Sequence, residues 1–244
     1  MLVNEVNIFI PCCIDRYYPD TAQHLLDLFA HLGIKTNYFP EQMCCGKTLF
    51  QMGLWDDAKA AGEKFIGIFK NKKPIICPSA SCVSFMKNYY RQLFEATSRL
   101  YLENKEIKNQ IYELSDFLVN VLKIKSVGAK FPHRVSYHDS CSALREYPDT
   151  LTQEPRDLLN EVEGLELVEM DNRDQCCGFG GMFSVNFENI SAKMTAEKVS
   201  LALETKAEYI VSVDYSCLMN MEAYINKNKL PIKCIHLVDV LNSR

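Results

Sequence analysis

The chain carries the same cysteine pattern twice, and this repeat constrains its fold more than any other feature. In the first half Cys12 is followed, after 31 intervening residues, by Cys44-Cys45-Gly46, and after 36 more by Cys82. In the second half Cys141 is followed after 34 residues by Cys176-Cys177-Gly178, and after 39 more by Cys217. Self-similarity on this scale marks a duplicated structural unit. With 11 cysteines in 244 residues, roughly 0.5 adjacent pairs are expected by chance, so one pair alone would carry no weight. Two pairs, each followed by Gly and flanked in register by single cysteines, do.

The surroundings repeat as well. β-prone runs at residues 6–10 and 134–138 precede the single cysteines, runs at 34–39 and 165–170 precede the pairs, and 74–77 matches 209–213. Between them lie segments of helical periodicity. In the first half these are 21–32, with Leu25, Leu28, Phe29 and Leu32 on one face, then 56–69 and 83–94; in the second they are 155–162, 190–203 and 218–225. Such alternation predicts an α/β fold of two pseudo-symmetric modules, each a small parallel sheet flanked by helices. The boundary is expected near residues 125–132, giving modules of residues 1–128 and 129–244, with 104–122 read as one or two helices closing the first. No Gly/Ser-rich linker separates them, so firm packing is expected.

Composition narrows the function classes. At 48% apolar residues the chain can bury a large core, and its net charge of −4, without any block of Lys or Arg, leaves no footprint for nucleic acid. The first residues lack the basic start and apolar stretch of a signal peptide, and no apolar run approaches the roughly 18 residues of a membrane span. A cytoplasmic, soluble protein without a membrane span is expected. In a reducing compartment 11 cysteines would not persist as disulfides, which turns attention to metal or redox chemistry.

Thiolates are soft ligands for zinc, copper(I) and iron–sulfur clusters, and each half offers four: Cys12, Cys44, Cys45 and Cys82, then Cys141, Cys176, Cys177 and Cys217. Neighbouring residues of an extended chain point to opposite sides, so a Cys-Cys pair facing one site needs a sharp bend, which Gly46 and Gly178 allow. Zinc sites usually use Cys-x2-4-Cys knuckles, which do not recur here; a cluster is favoured and zinc stays open as the alternative in one or both sites. Cys77, five residues before Cys82, is a possible extra ligand, whereas Cys13 and Cys234 lack counterparts and read as core residues.

The stretches Ile10-Pro11-Cys12, Cys44-Cys45-Gly46, Pro78-Ser79-Ala80-Ser81-Cys82-Val83, His138-Asp139-Ser140-Cys141, Cys176-Cys177-Gly178-Phe179-Gly180-Gly181 and Ser216-Cys217-Leu218-Met219 resemble the tandem cysteine-rich CCG domain family. That family includes the cysteine-rich subunit of heterodisulfide reductase and the cysteine-rich parts of glycolate oxidase iron–sulfur subunits, and the similarity runs over nearly the whole chain. The resemblance implies an iron–sulfur oxidoreductase subunit with one cluster of the 4Fe-4S type per module. It also implies a part in oxidising L-lactate to pyruvate, together with a ferredoxin-like iron–sulfur partner and a further lactate-utilization subunit. In heterodisulfide reductase each module ends in Cys-x-x-Cys and holds a non-cubane cluster; here Ser79 and Asp214 replace the first cysteine of that pair. Asp214 then becomes a possible oxygen ligand.

Candidate catalytic residues are His138 and Asp139, as acid and base or as donors to thiolate sulfur, and Arg145 as a partner for a hydroxyacid carboxylate. Each has a bland alternative: a strand-end cap for the first two, an exposed arginine for the third. Gly178-Phe179-Gly180-Gly181 lacks the spacing of a phosphate-cradling loop, and Trp55, Tyr89 and Tyr90 read as packing residues. Two competing functions remain open at this point. One is a structural or assembly subunit with zinc in the cysteine sites, and the other is thiol–disulfide chemistry of the heterodisulfide reductase kind.

Overall fold

The structure, a computed structural model, describes residues 3–244. The central strands are buried along most of their length, as parallel sheets covered by helices require. In the first half β1 (Glu5–Ile8), β2 (Lys35–Tyr38), β3 (Ile75–Cys77) and β4 (Ile111–Glu113) lie in the order β2-β1-β3-β4, all parallel. In the second half β5 (Arg134–Tyr137), β6 (Glu166–Val168), β7 (Tyr209–Ser212) and β8 (Lys233–His236) lie in the order β6-β5-β7-β8, again all parallel. The expected class, α/β with two small parallel sheets flanked by helices, is the one observed. Among the described residues no helix is long and apolar enough to cross a membrane.

Two local expectations need correction, and one strand has no counterpart among them. Residues 104–122 are not helical throughout: after the helix Arg99–Lys108, Ile111 to Glu113 form β4, and only then does the chain coil again over Leu114–Asp116 and Phe117–Val121. Strand β8 was likewise invisible in the apolar pattern. Runs of three or four residues, with Glu113 or Lys233 among them, are too short to establish a period of two. The helical pattern over 83–94 is interrupted too, forming Ala80–Asn88 and Tyr90–Leu93 about Tyr89.

The halves embrace each other about a pseudo-two-fold relation. The helix Leu237–Asn242, which follows β8, packs on Pro19–His31 of the first half, and Leu114–Val121, which follows β4, packs on Gln153–Asn160 of the second. Closer to the strand ends, Ala80–Asn88 packs on the coiled segment Ser142–Glu146, and Cys12–Tyr17 packs on Tyr215–Asn228. Polar contacts follow the same seam: Thr21, Tyr215 and Asp239 share hydrogen bonds of 2.8–2.9 Å, and Tyr147 donates to Asp116 at 2.6 Å.

Glu113 ends β4 fully buried, accepting hydrogen bonds from the amide and the hydroxyl of Ser115. Burial pushes its carboxyl up to about 8 from an ordinary 4.5. The folded state therefore keeps a proton that the unfolded carboxylate releases, so stability declines as pH rises from about 4.5 to about 8 and levels off above. Glu113→Gln is expected to flatten that decline. Urea midpoints of both proteins across this pH window, with an unchanged slope for the variant, are the check.

Candidate metal centre

Every repeated cysteine sits at the carboxyl end of a strand, where loops of a parallel sheet converge. Cys12 opens the helix after β1, Cys44 and Cys45 lie in the loop after β2, and Cys82 lies in the first turn of the helix after β3. Cys141, Cys176 with Cys177, and Cys217 occupy the equivalent places after β5, β6 and β7. Gly46 and Gly178 both have φ +87°, a left-handed conformation that favours glycine, and each amide donates to the sulfur two residues back, at 3.4 Å to Cys44 and to Cys176. The following carbonyls are pinned as well: Tyr90 donates to Cys45 O at 2.8 Å, and Thr195 and Asn220 donate to Cys177 O at 2.9 and 3.2 Å.

The two glycine bends differ in clearance. A Cβ on Gly46 would meet Ala58 O at 3.3 Å, whereas one on Gly178 would meet Ser191 O at 2.6 Å and Met194 Cβ at 3.0 Å. Gly46→Ala is expected to cost about 1–2 kcal/mol for the left-handed backbone. Gly178→Ala adds roughly 1–3 kcal/mol of overpacking against a carbonyl that cannot swing aside. Thermal unfolding of both variants should rank them in that order.

Within each half the thiols pair. Cys12 Sγ lies 3.6 Å from Cys44 Sγ, and Cys45 Sγ 3.6 Å from Cys82 Sγ; Cys141 contacts Cys176, and Cys177 contacts Cys217. The hydrogen bond from Cys12, then that from Cys45 and the Gly46 amide, hold the Cys44 thiol down to about 3. The deeper pair, Cys45 and Cys82, is buried, while Cys12 is exposed at the mouth; Cys177 and Cys217 are the buried pair of the second half. All eight line one cavity of about 350 Å³ that lies across the seam between the halves.

The repeat breaks at four positions around this cavity. After the Cys-Cys-Gly turn the first half has Lys47 and the second Phe179; three residues before the single cysteine stand Phe9 and His138; twenty residues after the turn glycine stand Ile66 and Lys198; before the last cysteine stand Ser79 and Asp214. Lys47 Nζ lies 3.4 Å from Ser142 Oγ and 4.0 Å from Glu146. Burial works against its charge, but Glu146 and Asp214, with the thiols of Cys82 and Cys45, hold the ammonium above the ordinary lysine value. Asp214 is buried and accepts from Ser79 Oγ at 2.7 Å and the Ser81 amide at 3.0 Å, so it joins the second half to the first; its Oδ2 has no partner among the described residues. Lys198 is fully buried and donates to the carbonyls of Asn172 and Arg173, ahead of the second cysteine pair.

His138 is fully buried with neither ring nitrogen hydrogen-bonded among the described residues, and burial, then the charge of Lys198, pushes it down to about 3. Its nitrogen and the sulfurs of Cys177 and Cys217 all lie within 4.8 Å of one another. Asp139 is held elsewhere: Arg156 grips both its oxygens at 2.8 and 2.7 Å. Arg145 is exposed and donates to the Asp174 carbonyl at 3.3 Å, away from the cavity lining. Cys77 is buried beside Cys82, Cys13 lines the cavity, and Cys234 lies on β8. Tyr90 is buried, and Trp55 stacks on Phe50 with ring centroids 5.5 Å apart. Sequence reasoning did not single out Lys47, Glu146, Arg156 or Lys198. For Lys47 and Lys198 the signal was present, as a charged residue where the other half has an apolar one.

Thiols converging from strand-end loops of two like sheets define a duplicated cysteine-rich protein, and family comparison agrees. Residues 6–87 and 135–222 both match the cysteine-rich domain called CCG, and the chain belongs to that family with two copies of it. It is 39% identical to Lactate utilization protein A of Halalkalibacterium halodurans, over 98% of this chain and 96% of that protein. It is 37% identical to Lactate utilization protein A of Geobacillus thermodenitrificans (98% and 99%) and 34% identical to that of Bacillus subtilis (98% and 100%). A crystal structure of a hypothetical protein from Helicobacter pylori superposes with a TM-score of 0.65 at 11% identity, covering all of this chain and 50% of that one, which shows the fold alone.

Proposed function

We propose that the chain is an iron–sulfur subunit of an oxidoreductase serving lactate utilization. In this reading the two modules, residues 1–128 and 129–244, each hold one four-iron cluster, on Cys12, Cys44, Cys45 and Cys82 and on Cys141, Cys176, Cys177 and Cys217. The observation that carries it is the single cavity faced by both cysteine sets. The donor chemistry fits such groups: soft sulfur ligands, four per half, in buried loops whose amides already donate to sulfur. Bound clusters supply one-electron acceptors there.

Oxidation of L-lactate to pyruvate releases two electrons and two protons. Lys47, with the Ser142 hydroxyl beside it, is a cation placed to hold a hydroxyacid carboxylate in the cavity. The chain contains no Cys-x2-Cys-x2-Cys-x3-Cys run, so the onward relay belongs to a ferredoxin-like partner, beside a further lactate-utilization subunit.

One observation favours a second reading, zinc in a structural subunit. The 3.6 Å sulfur pairs are close to the about 3.8 Å expected for two thiolates on one tetrahedral zinc with 2.3 Å bonds. Iron, acid-labile sulfide and zinc measured on protein purified without oxygen separate the two. Iron and sulfide of about four each per centre, with an EPR signal on reduction or oxidation, are expected. Stoichiometric zinc without sulfide would remove the chain from the electron path.

A further inference from the structure

We propose that His138 is a nitrogen ligand of the second centre, beside Cys177 and Cys217, so that the two centres of the chain are chemically unlike. This rests on the reading that the cysteines hold metal.

The imidazole of His138 is a group that the fold alone does not explain. His138 is completely buried, and neither Nδ1 nor Nε2 has a hydrogen-bond partner among the described residues. An unsatisfied buried polar group of this kind is costly and calls for a partner. The packing does not require an imidazole at this place, because the first half fills it with Phe9, wedged edge-on against Phe65 and Phe69 at centroid distances of 5.1 and 5.9 Å. The backbone of His138 is fixed from both sides: its amide donates to Val211 O at 2.8 Å, and its carbonyl accepts from Ser212 Oγ at 3.0 Å. Among the described residues, His138, Cys177 and Cys217 are the one set of three His, Cys, Asp or Glu donors whose ligand atoms all lie within 4.8 Å of one another.

The depth of the donors makes the asymmetry plain. Below its deep thiol pair the first centre has Cys77, a fully buried thiol at the end of β3. Below its own deep pair the second has His138, just after β5. Imidazole suits iron and zinc alike, and a neutral nitrogen donor added beside the thiolates of the second centre would have no counterpart in the first, where Phe9 stands.

The test uses the full chain, grown with 15N-labelled histidine, purified without oxygen and reduced. Pulsed EPR is expected to show a strong 15N coupling to one of two centres, and His138→Gln is expected to lose it while the iron of the first centre is retained. Iron and sulfide present in the wild-type chain without any strong 15N coupling overturns the ligand, and needs no variant to fold. Zinc without sulfide overturns the redox reading instead. Cobalt(II) loaded into that zinc site then still reports His138: a shift of the ligand-field bands between wild type and His138→Gln supports the ligand, and identical bands overturn it.

Discussion

Cys177→Ala is expected to lose about half of the bound iron and sulfide, the share of one of two four-iron centres, and Cys45→Ala to lose the other half. Cys177 and Cys45 are the second cysteines of the two pairs, both buried and both with carbonyls pinned by hydrogen bonds. Removing either takes a thiolate from the deep side of a centre, where solvent cannot replace it. Cys234→Ala serves as the control, since Cys234 lies on β8 and outside the cavity lining. Each single variant should keep one EPR-active centre, and the double variant none. If either single variant lost all of its iron, the two cysteine sets would share one metal group across the common cavity, and the assignment of one centre per half would fall.

Arg156→Met is expected to destabilise the protein by about 3–5 kcal/mol, the usual consequence of removing one partner from a buried ion pair. Asp139 is 1% exposed and both its oxygens are held by Arg156, whose guanidinium also reaches Glu169 at 2.6 and 2.8 Å and lies 4.8 Å over the Tyr137 ring. Without the guanidinium a carboxyl would be left buried without its partner, two residues from Cys141. Arg156→Met combined with Asp139→Leu should recover much of the loss, because no buried charge then remains. Urea unfolding of the two singles and the double makes the cycle. A double variant as unstable as Arg156→Met would show that packing on Tyr137, not the ion pair, sets the cost.

These two cases mark where the sequence was legible and where it was not. The eight cysteines and the six strand runs that precede them recur in the same order at nearly the same offsets, so their convergence could be read from spacing. Strands β4 and β8 could not be: each follows the last repeated cysteine of its half, outside the frame of the repeat, and each carries a charged residue, Glu113 or Lys233, in a run too short to show its own pattern. Asp139 read as a catalytic candidate because it adjoins His138 and Cys141. Its commitment to Arg156, 17 residues on, is a tertiary fact with no local periodicity. Lys47, which lines the cavity, and Lys198, buried behind the second cysteine pair, were the opposite case: their charges could have been suspected from aligning the halves for differences as well as for likeness.

The exchange of end helices also decides how anything reaches the cavity. Each half is closed on one side by a helix belonging to the other, so separating the halves would strip apolar packing from both at once. A clam-like opening, in which two domains swing about a hinge to admit a small molecule, is therefore closed to this fold. Entry falls to the loops at the mouth, where Cys12 is exposed and Lys47 half-buried. The same clasp fixes the separation of the two cysteine sets, so their spacing is a property of the fold and not of whatever occupies the cavity.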